Sequence, residues 1–315
     1  MSRRPEKRLD LRNCWLYAID SQADLARRLS IDVSPVSVET LRGLATDTGN
    51  FKLFSAKDQG GRAIQEPKRP LQRIHKRIHK LLSRVETPKY LQSARKGCSY
   101  LTNARSHNVN AATVKIDVKR FFQSVPRVAI FRFFLETMKC RKDVAGLIAD
   151  ILTYDARLPT GSSASPIISY YAFKPMFDEL HNLALTRGLK MTCYVDDITF
   201  SGPSANRGTL FDAHKIIAKY RLKSHKMKAF APHQPKIITG VCNTPSGERV
   251  PNKLHRKISI GFKELREAVT HQDKFKALQP LLGRLEAARQ IDQTFGARAK
   301  TLRSKMKAVL KPETA

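Results

Sequence analysis

Apolar and polar residues alternate over 51–57 and again over 62–67, with Asp58-Gln59-Gly60-Gly61 between them, which predicts a β-hairpin. Leu71, Ile74, Ile78, Leu81 and Leu82 then recur at helical spacing, so 70–85 reads as an amphipathic helix. Residues 96–107 are polar and read as a loop. Val114, Ile116 and Val118 share one face of a strand, and Lys115, Asp117 and Lys119 share the other. Helical spacing returns over 126–154, followed by a small, polar loop at 158–166 and one long helix over 168–187 that ends at Gly188. An apolar run broken by two carboxylates, 191–201, predicts a second hairpin with Asp196 and Asp197 at its tip. Beyond it come a helix at 211–220, a short strand at 237–241 and three helices over 253–269, 273–291 and 297–310. Upstream, 11–29 predicts one or two helices, and Ser37 reads as the cap of another. Pro and Gly interrupt the pattern at 247–251, the expected sub-domain boundary.

The apolar content is that of a folded protein, but the charge is not ordinary. Fifty-eight Lys and Arg against 27 Asp and Glu give +31. The basic residues are spread over the whole length, the footprint of a nucleic-acid binder. An anionic membrane surface is the weaker partner, because no apolar run approaches the ~18 residues of a membrane span. The expectation is therefore no membrane. Five scattered cysteines without a Cys-x-x-Cys pair argue against a disulfide framework or zinc site and for a reducing, cytoplasmic location.

Taken alone, an Asp-Asp pair is more often a solvated turn than a ligand site. Two adjacent carboxylates repel unless a cation neutralises them, and Mg²⁺ binds through one or two carboxylates plus substrate phosphates. Asp117 adds a third carboxylate from a separate strand. Lys57 and Arg62, on the first hairpin, could present two cations to a triphosphate, or could be solvated. The 70–85 helix carries a strongly basic face suited to phosphate. His75 and His79 are four apart but lack the Glu of a metalloprotease helix.

These pieces, in this order, resemble the palm of a reverse transcriptase. Tyr194-Val195-Asp196-Asp197 matches that family's YxDD box, and Asp117 with Phe122 matches its first catalytic aspartate and nucleotide-selecting aromatic. Leu158-Pro159-Thr160-Gly161 with Ser165-Pro166 resembles its LPQG…SP loop, with Thr160 where the family usually has Gln. Asn103-Ala104-Arg105-Ser106-His107 fits the NAxxH signature of the bacterial retron branch, and Ile238-Thr239-Gly240 resembles that branch's VTG triplet.

The resemblance implies an α+β right-hand polymerase fold with fingers, a palm built on a small antiparallel sheet, and a short helical thumb. The expected order is an N-terminal helical extension at 1–50, fingers at 51–112, the first catalytic strand at 113–125 and a helical insertion at 126–157. The palm hairpin region follows at 158–246 and an RNA-binding thumb at 247–315. It implies an RNA-directed DNA polymerase with two Mg²⁺ ions, Mn²⁺ being the alternative, held by Asp117, Asp196, Asp197 and the Val118 backbone carbonyl. Lys57, Arg62, Phe122, Thr160, Gly161 and Lys226 would bind the dNTP. Asn103, His107, Lys253, Arg256 and Lys257 would bind RNA. The implied partners are a cognate structured non-coding RNA, its branched msDNA product primed from a 2′-OH, and a separate effector protein in defence against phage. The rival expectations are a group II intron-like or abortive-infection reverse transcriptase, an RNA-directed RNA polymerase, or a catalytically silent RNA-binding protein on the same fold.

Overall fold

The computed structural model describes residues 8–30, 35–56 and 61–309. They fall into two compact units: Met1–Ser99 with Val114–Ala229, and Tyr100–Thr113 with Phe230–Ala315. Residues 100–112, expected with the fingers, residue 113, expected with the first catalytic strand, and 230–246, expected with the palm, therefore belong to the second unit.

The first unit opens with a 3₁₀ turn at Leu11–Asn13, then α1 (Gln22–Leu29) and α2 (Val38–Thr46). The Ser37 hydroxyl caps α2 by accepting from the Thr40 N–H at 3.1 Å. β1 (Phe51–Ala56) and β2 (Arg62–Pro67) pair antiparallel, with Phe51 opposite Pro67. α3 (Arg69–Leu82) buries Leu71, Ile74, His75, Ile78, Leu81 and Leu82, the stripe its apolar spacing predicts.

After the short α4 (Tyr100–Arg105) of the second unit comes β3 (Thr113–Val118). Next are α5 (Phe121–Ser124), α6 (Arg127–Arg132), a π-helical segment at Phe133–Thr137 and α7 (Lys142–Ile151). The long helix expected over 168–187 is two helices, α8 (Ser165–Ala172) and α9 (Lys174–Thr186). Pro175 explains the break: inside a continuous helix it would lack a donor and press on the carbonyl four residues back. β4 (Lys190–Tyr194) and β5 (Asp197–Ser201) form the second hairpin, followed by α10 (Arg207–Lys219) and β6 (Ser224–Phe230). The basic run at 223–228 is thus largely an edge strand, because the four-stranded sheet has the order β4-β5-β3-β6. That order sets the strands of Asp117 and Asp197 side by side. Val114, Ile116, Val118, Ile198 and Phe200 are fully buried beneath it, and Phe121 packs its ring 6.0 Å from that of Phe177.

In the second unit, β7 (Lys236–Ile238), β8 (Val241–Thr244) and β9 (Gly247–Arg249) form an antiparallel meander. The single strand expected at 237–241 is in fact the β7–β8 hairpin, turning at Thr239 (φ 43°) and Gly240 (φ 86°). A β-branched residue is strained at positive φ. Thr239 is held there because its hydroxyl donates to the Tyr100 carbonyl at 2.7 Å and accepts from Asn103 Nδ2 at 3.3 Å. α4 lies where a loop was expected. Its Asn103 and Ala104 are buried, and Ala104 packs with Ile238 and Val241, a tertiary contact that polar spacing conceals. α11 (Asn252–Glu267), α12 (His271–Ile291) and α13 (Gly296–Val309) share a core that includes Ile258, Leu281, Leu285 and Leu302.

Candidate active site

Asp117 leaves β3 on the face opposite Val114, Ile116 and Val118, so a strand whose other face is fully buried fixes its position. At the tip of the β4–β5 hairpin, Tyr194 pairs with Asp197 and leaves Val195-Asp196 as the turn. Val195 is driven to φ 61°, a strained setting for a β-branched side chain. Two hydrogen bonds hold the turn: the Val195 N–H donates to Ser93 Oγ at 3.0 Å, and the Asp196 carbonyl accepts from the Val118 N–H at 2.9 Å. The second bond ties the tip directly to the strand of Asp117.

Asp117 and Asp196 line a cavity of about 530 Å³ whose other walls include Arg62, Lys119, Arg120, His225 and Lys226. Burial, then the neighbouring charge of Asp117, pushes the Asp196 carboxyl up to about 6. Burial also raises Asp117, against the opposing pull of Lys226 and His225. Lys226 Nζ stands 3.4 Å from Asp117 Oδ2, and His225 Nε2 3.3 Å from Oδ1. Lys226 is itself held at φ 53° in the edge strand. Asp197 turns Oδ2 onto Lys115 Nζ at 2.9 Å.

Oδ1 of Asp117 and Oδ1 of Asp197 are buried and accept no well-aligned hydrogen bond, although His225 Nε2 approaches the first to 3.3 Å. Such atoms are costly unless a cation reaches them. Among the described residues no three His, Cys, Asp or Glu side chains converge into a ready-made cage. Two crowded carboxylates facing an open cavity fit a hard divalent ion that also takes substrate phosphate oxygens. The donor set therefore suits Mg²⁺ or Mn²⁺ and offers nothing soft.

The other expected nucleotide contacts are placed unevenly. Arg62 is exposed at the cavity wall, and its charge counteracts the rise at Asp196. Lys57 lies outside the described residues. Phe122 is half-buried, its ring stacked at 6.4 Å on that of Phe121, and it is not part of the cavity lining. The Thr160 hydroxyl is occupied by β2, with Gln65 Oε1 at 3.0 Å, Ala63 O at 3.2 Å and the Gln65 N–H at 3.2 Å. Gly161 lies so close to β2 that a Cβ would sit 2.8 Å from the Gln65 carbonyl oxygen. These two residues thus fasten the 158–161 loop to the first hairpin. His75, weighed above as a metal ligand, is buried: Nε2 donates to the Ile151 carbonyl at 2.8 Å, which leaves Nδ1 to accept from Ser162 Oγ at 2.6 Å.

Asn103 and His107 are 0% and 2% exposed. As buried groups of the second unit they brace its packing and do not present a surface to RNA, contrary to expectation. Lys253 and Arg256 are exposed on α11 and Lys257 is half-buried beside them. Sequence reading missed His225, Lys119, Arg120 and Lys115. Lys115 and Lys119 had a signal, their positions two residues before and after Asp117 on the same strand face.

Residues 46–246 match the family model described as reverse transcriptase (RNA-dependent DNA polymerase). A Salmonella heidelberg retron Se72 reverse transcriptase is 28% identical over 58% of this chain and 50% of its own length. The Escherichia coli retron Ec86 reverse transcriptase is 24% identical over 83% of this chain and 81% of its own. The chain thus matches only half the length of the first relative. A solved foamy viral protease-reverse transcriptase in complex with double-stranded DNA aligns over 98% of this chain and 46% of its own, with 17% identity and a TM-score of 0.46. With 46–246 covering well over half of its residues, the chain belongs to the reverse transcriptase (RNA-dependent DNA polymerase) family, and its curated relatives are retron enzymes.

Proposed function

We propose that this chain is the RNA-directed DNA polymerase of a retron. It copies part of a cognate structured RNA from a 2′-OH primer into branched msDNA, and it acts with a separate effector in defence against phage. The observation that carries the polymerase reading is the crowded pair Asp117–Asp196 facing a cavity walled by cations, with buried, unpartnered Oδ1 atoms on Asp117 and Asp197.

Divalent ions bound there, Mg²⁺ or Mn²⁺, would supply the charge neutralisation that phosphoryl transfer needs at the attacking and leaving oxygens. Asp117 and Asp196 would hold them, with Asp197 and the Val118 carbonyl in support, while Lys115 fixes the orientation of the Asp197 carboxylate. Lys57 and Arg62 grip the triphosphate as charge-assisted donors. Lys226 has a side chain 66% exposed, free to swing from Asp117 to the departing pyrophosphate. Phe122 blocks a 2′-OH on the incoming sugar. Thr160 and Gly161 act through β2, by setting where Arg62 stands. Lys253, Arg256 and Lys257 hold the RNA partner.

The test is primer extension by the purified chain on a primed RNA template with Mg²⁺ and dNTPs. Extension is expected, and it disappears in Asp196→Ala plus Asp197→Ala. Extension that survives those changes overturns the reading. Phe122→Ala should admit ribonucleotides, and unchanged sugar selection would remove Phe122 from its role. Sequencing of co-purifying nucleic acid, before and after a debranching treatment, tests the msDNA product. Phage plaque counts with and without Asp196→Ala test the defence role.

A further inference from the structure

The side of α3 away from the core carries Arg69, Arg73, Lys76, Arg77 and Lys80, and the helix contains no acidic residue. Arg69, Arg73, Lys76 and Lys80 step along the helix by four, three and four residues, which makes one exposed ridge about 16 Å long. Among the described residues none of these four is ion-paired. Like charges at such spacing each destabilise a helix slightly. A ridge of them persists at a net electrostatic disadvantage that an anion removes. At one end, Arg69, Arg73 and Lys76 line a cavity of about 750 Å³ with Lys52 and Lys68, opposed only by Glu66. It shares no lining residue with the catalytic cavity.

Beside the ridge stands the chain's single tryptophan. Trp15 is 57% exposed, with the Arg77 guanidinium 5.9 Å from its ring centroid. The backbone beneath the indole is tied to α1 and α3. Arg28 donates to the Trp15 carbonyl at 2.8 Å, and Arg77 donates to the Arg28 carbonyl at 3.2 Å. Arg73 and Lys80 flank Arg77 one helical turn to either side.

We propose that this face of α3, with Trp15, binds an unpaired stretch of RNA, its phosphates on the cation ridge and a base stacked on the indole. A single ridge follows one backbone, and a base must be unpaired to reach an aromatic platform. An anionic membrane fits less well, because the apolar face of α3 is buried inside the protein and cannot enter a bilayer. The proposal rests on the reading that the chain works on RNA, and it extends that reading to a second site.

The test uses the intact protein and a short unstructured RNA, read by quenching of the sole tryptophan over a series of salt concentrations, with anisotropy of labelled RNA in parallel. Saturable quenching is expected. Trp15→Ala weakens binding roughly 5- to 150-fold and leaves the salt slope unchanged. The triple variant Arg73→Gln, Lys76→Gln, Lys80→Gln lowers the slope of log affinity against log salt by about 2. RNA binding without quenching, variants that bind like the wild type, or quenching by anionic vesicles in place of RNA would each overturn the proposal. Extension on a short primed template, run with the same proteins, separates the two readings. A wild type that is quenched but never extends leaves this site standing and removes the polymerase.

Discussion

Lys236 is fully buried, and its ammonium is met by oxygens that carry no formal charge: Val109 O at 2.9 Å, Ala111 O at 2.6 Å and Thr113 Oγ1 at 3.3 Å. Burial pulls its pKa below the usual lysine value, yet three acceptors facing one ammonium make the charged form useful. It closes the 109–113 segment onto β7 within the second unit. Lys236→Met keeps the volume of the stem and orphans those acceptors. The expected loss is roughly 1–3 kcal/mol, because buried groups left without partners carry their desolvation penalty. Urea unfolding measures it, and a variant as stable as the wild type would show that the ammonium organises nothing.

At the scale of elements, the 158–164 loop is clamped between α3 and β2. His75 on α3 holds Ser162, and the Ser162 hydroxyl in turn accepts from the Ala164 N–H at 3.0 Å. Burial brings the His75 imidazole from its ordinary 6.5 down to about 4. The unfolded chain therefore binds a proton that the fold rejects between those values. The stabilising effect of the neutral ring is complete above pH 6.5 and is lost as pH falls toward 4, by up to about 3 kcal/mol. Unfolding midpoints measured across that window should fall in the wild type and stay flatter in His75→Gln. On the other side, Gly161→Ala would place a Cβ 2.9 Å from Glu66 Cα, so β2 must move. A several-fold rise in KM for dNTP is expected with folding retained, and an unchanged KM would detach β2 from the site. The sequence made β3 and the hairpin tip legible because a period of two separates Asp117 from Val114, Ile116 and Val118. It could not make α4 legible, because Asn103 is a polar residue that is buried and donates to Thr239 of the distant β7–β8 turn. His225 was hidden for a similar reason: β6 read as a basic run, and nothing local tells that it lies beside β3 as an edge strand.

At the scale of the molecule, the two units differ in how their charge is arranged. The first gathers cations around the catalytic cavity and along α3, while the second sets Lys253 and Arg256 on the exposed side of α11. Among the described residues no helix is long and apolar enough to cross a membrane. The +31 total means that the folded chain repels itself, and compaction works against that field. Salt screens such repulsion over a Debye length of about 10 Å at 0.1 M. The melting temperature should therefore rise with added sodium chloride over the range in which ion pairs in an ordinary protein are being weakened. A single-stranded RNA should raise it further at low salt, since a ligand at 100 times its Kd stabilises the bound form by about 2.7 kcal/mol. The two effects must oppose each other, because salt strips the RNA as it screens the chain. Melting curves over a grid of salt and RNA concentrations should show RNA stabilisation greatest at low salt and vanishing at high salt. The RNA-free curve should climb meanwhile. A melting temperature indifferent to salt without RNA would mean that the cations are already neutralised within the fold, and the charge could no longer be read as a reserve held for nucleic acid.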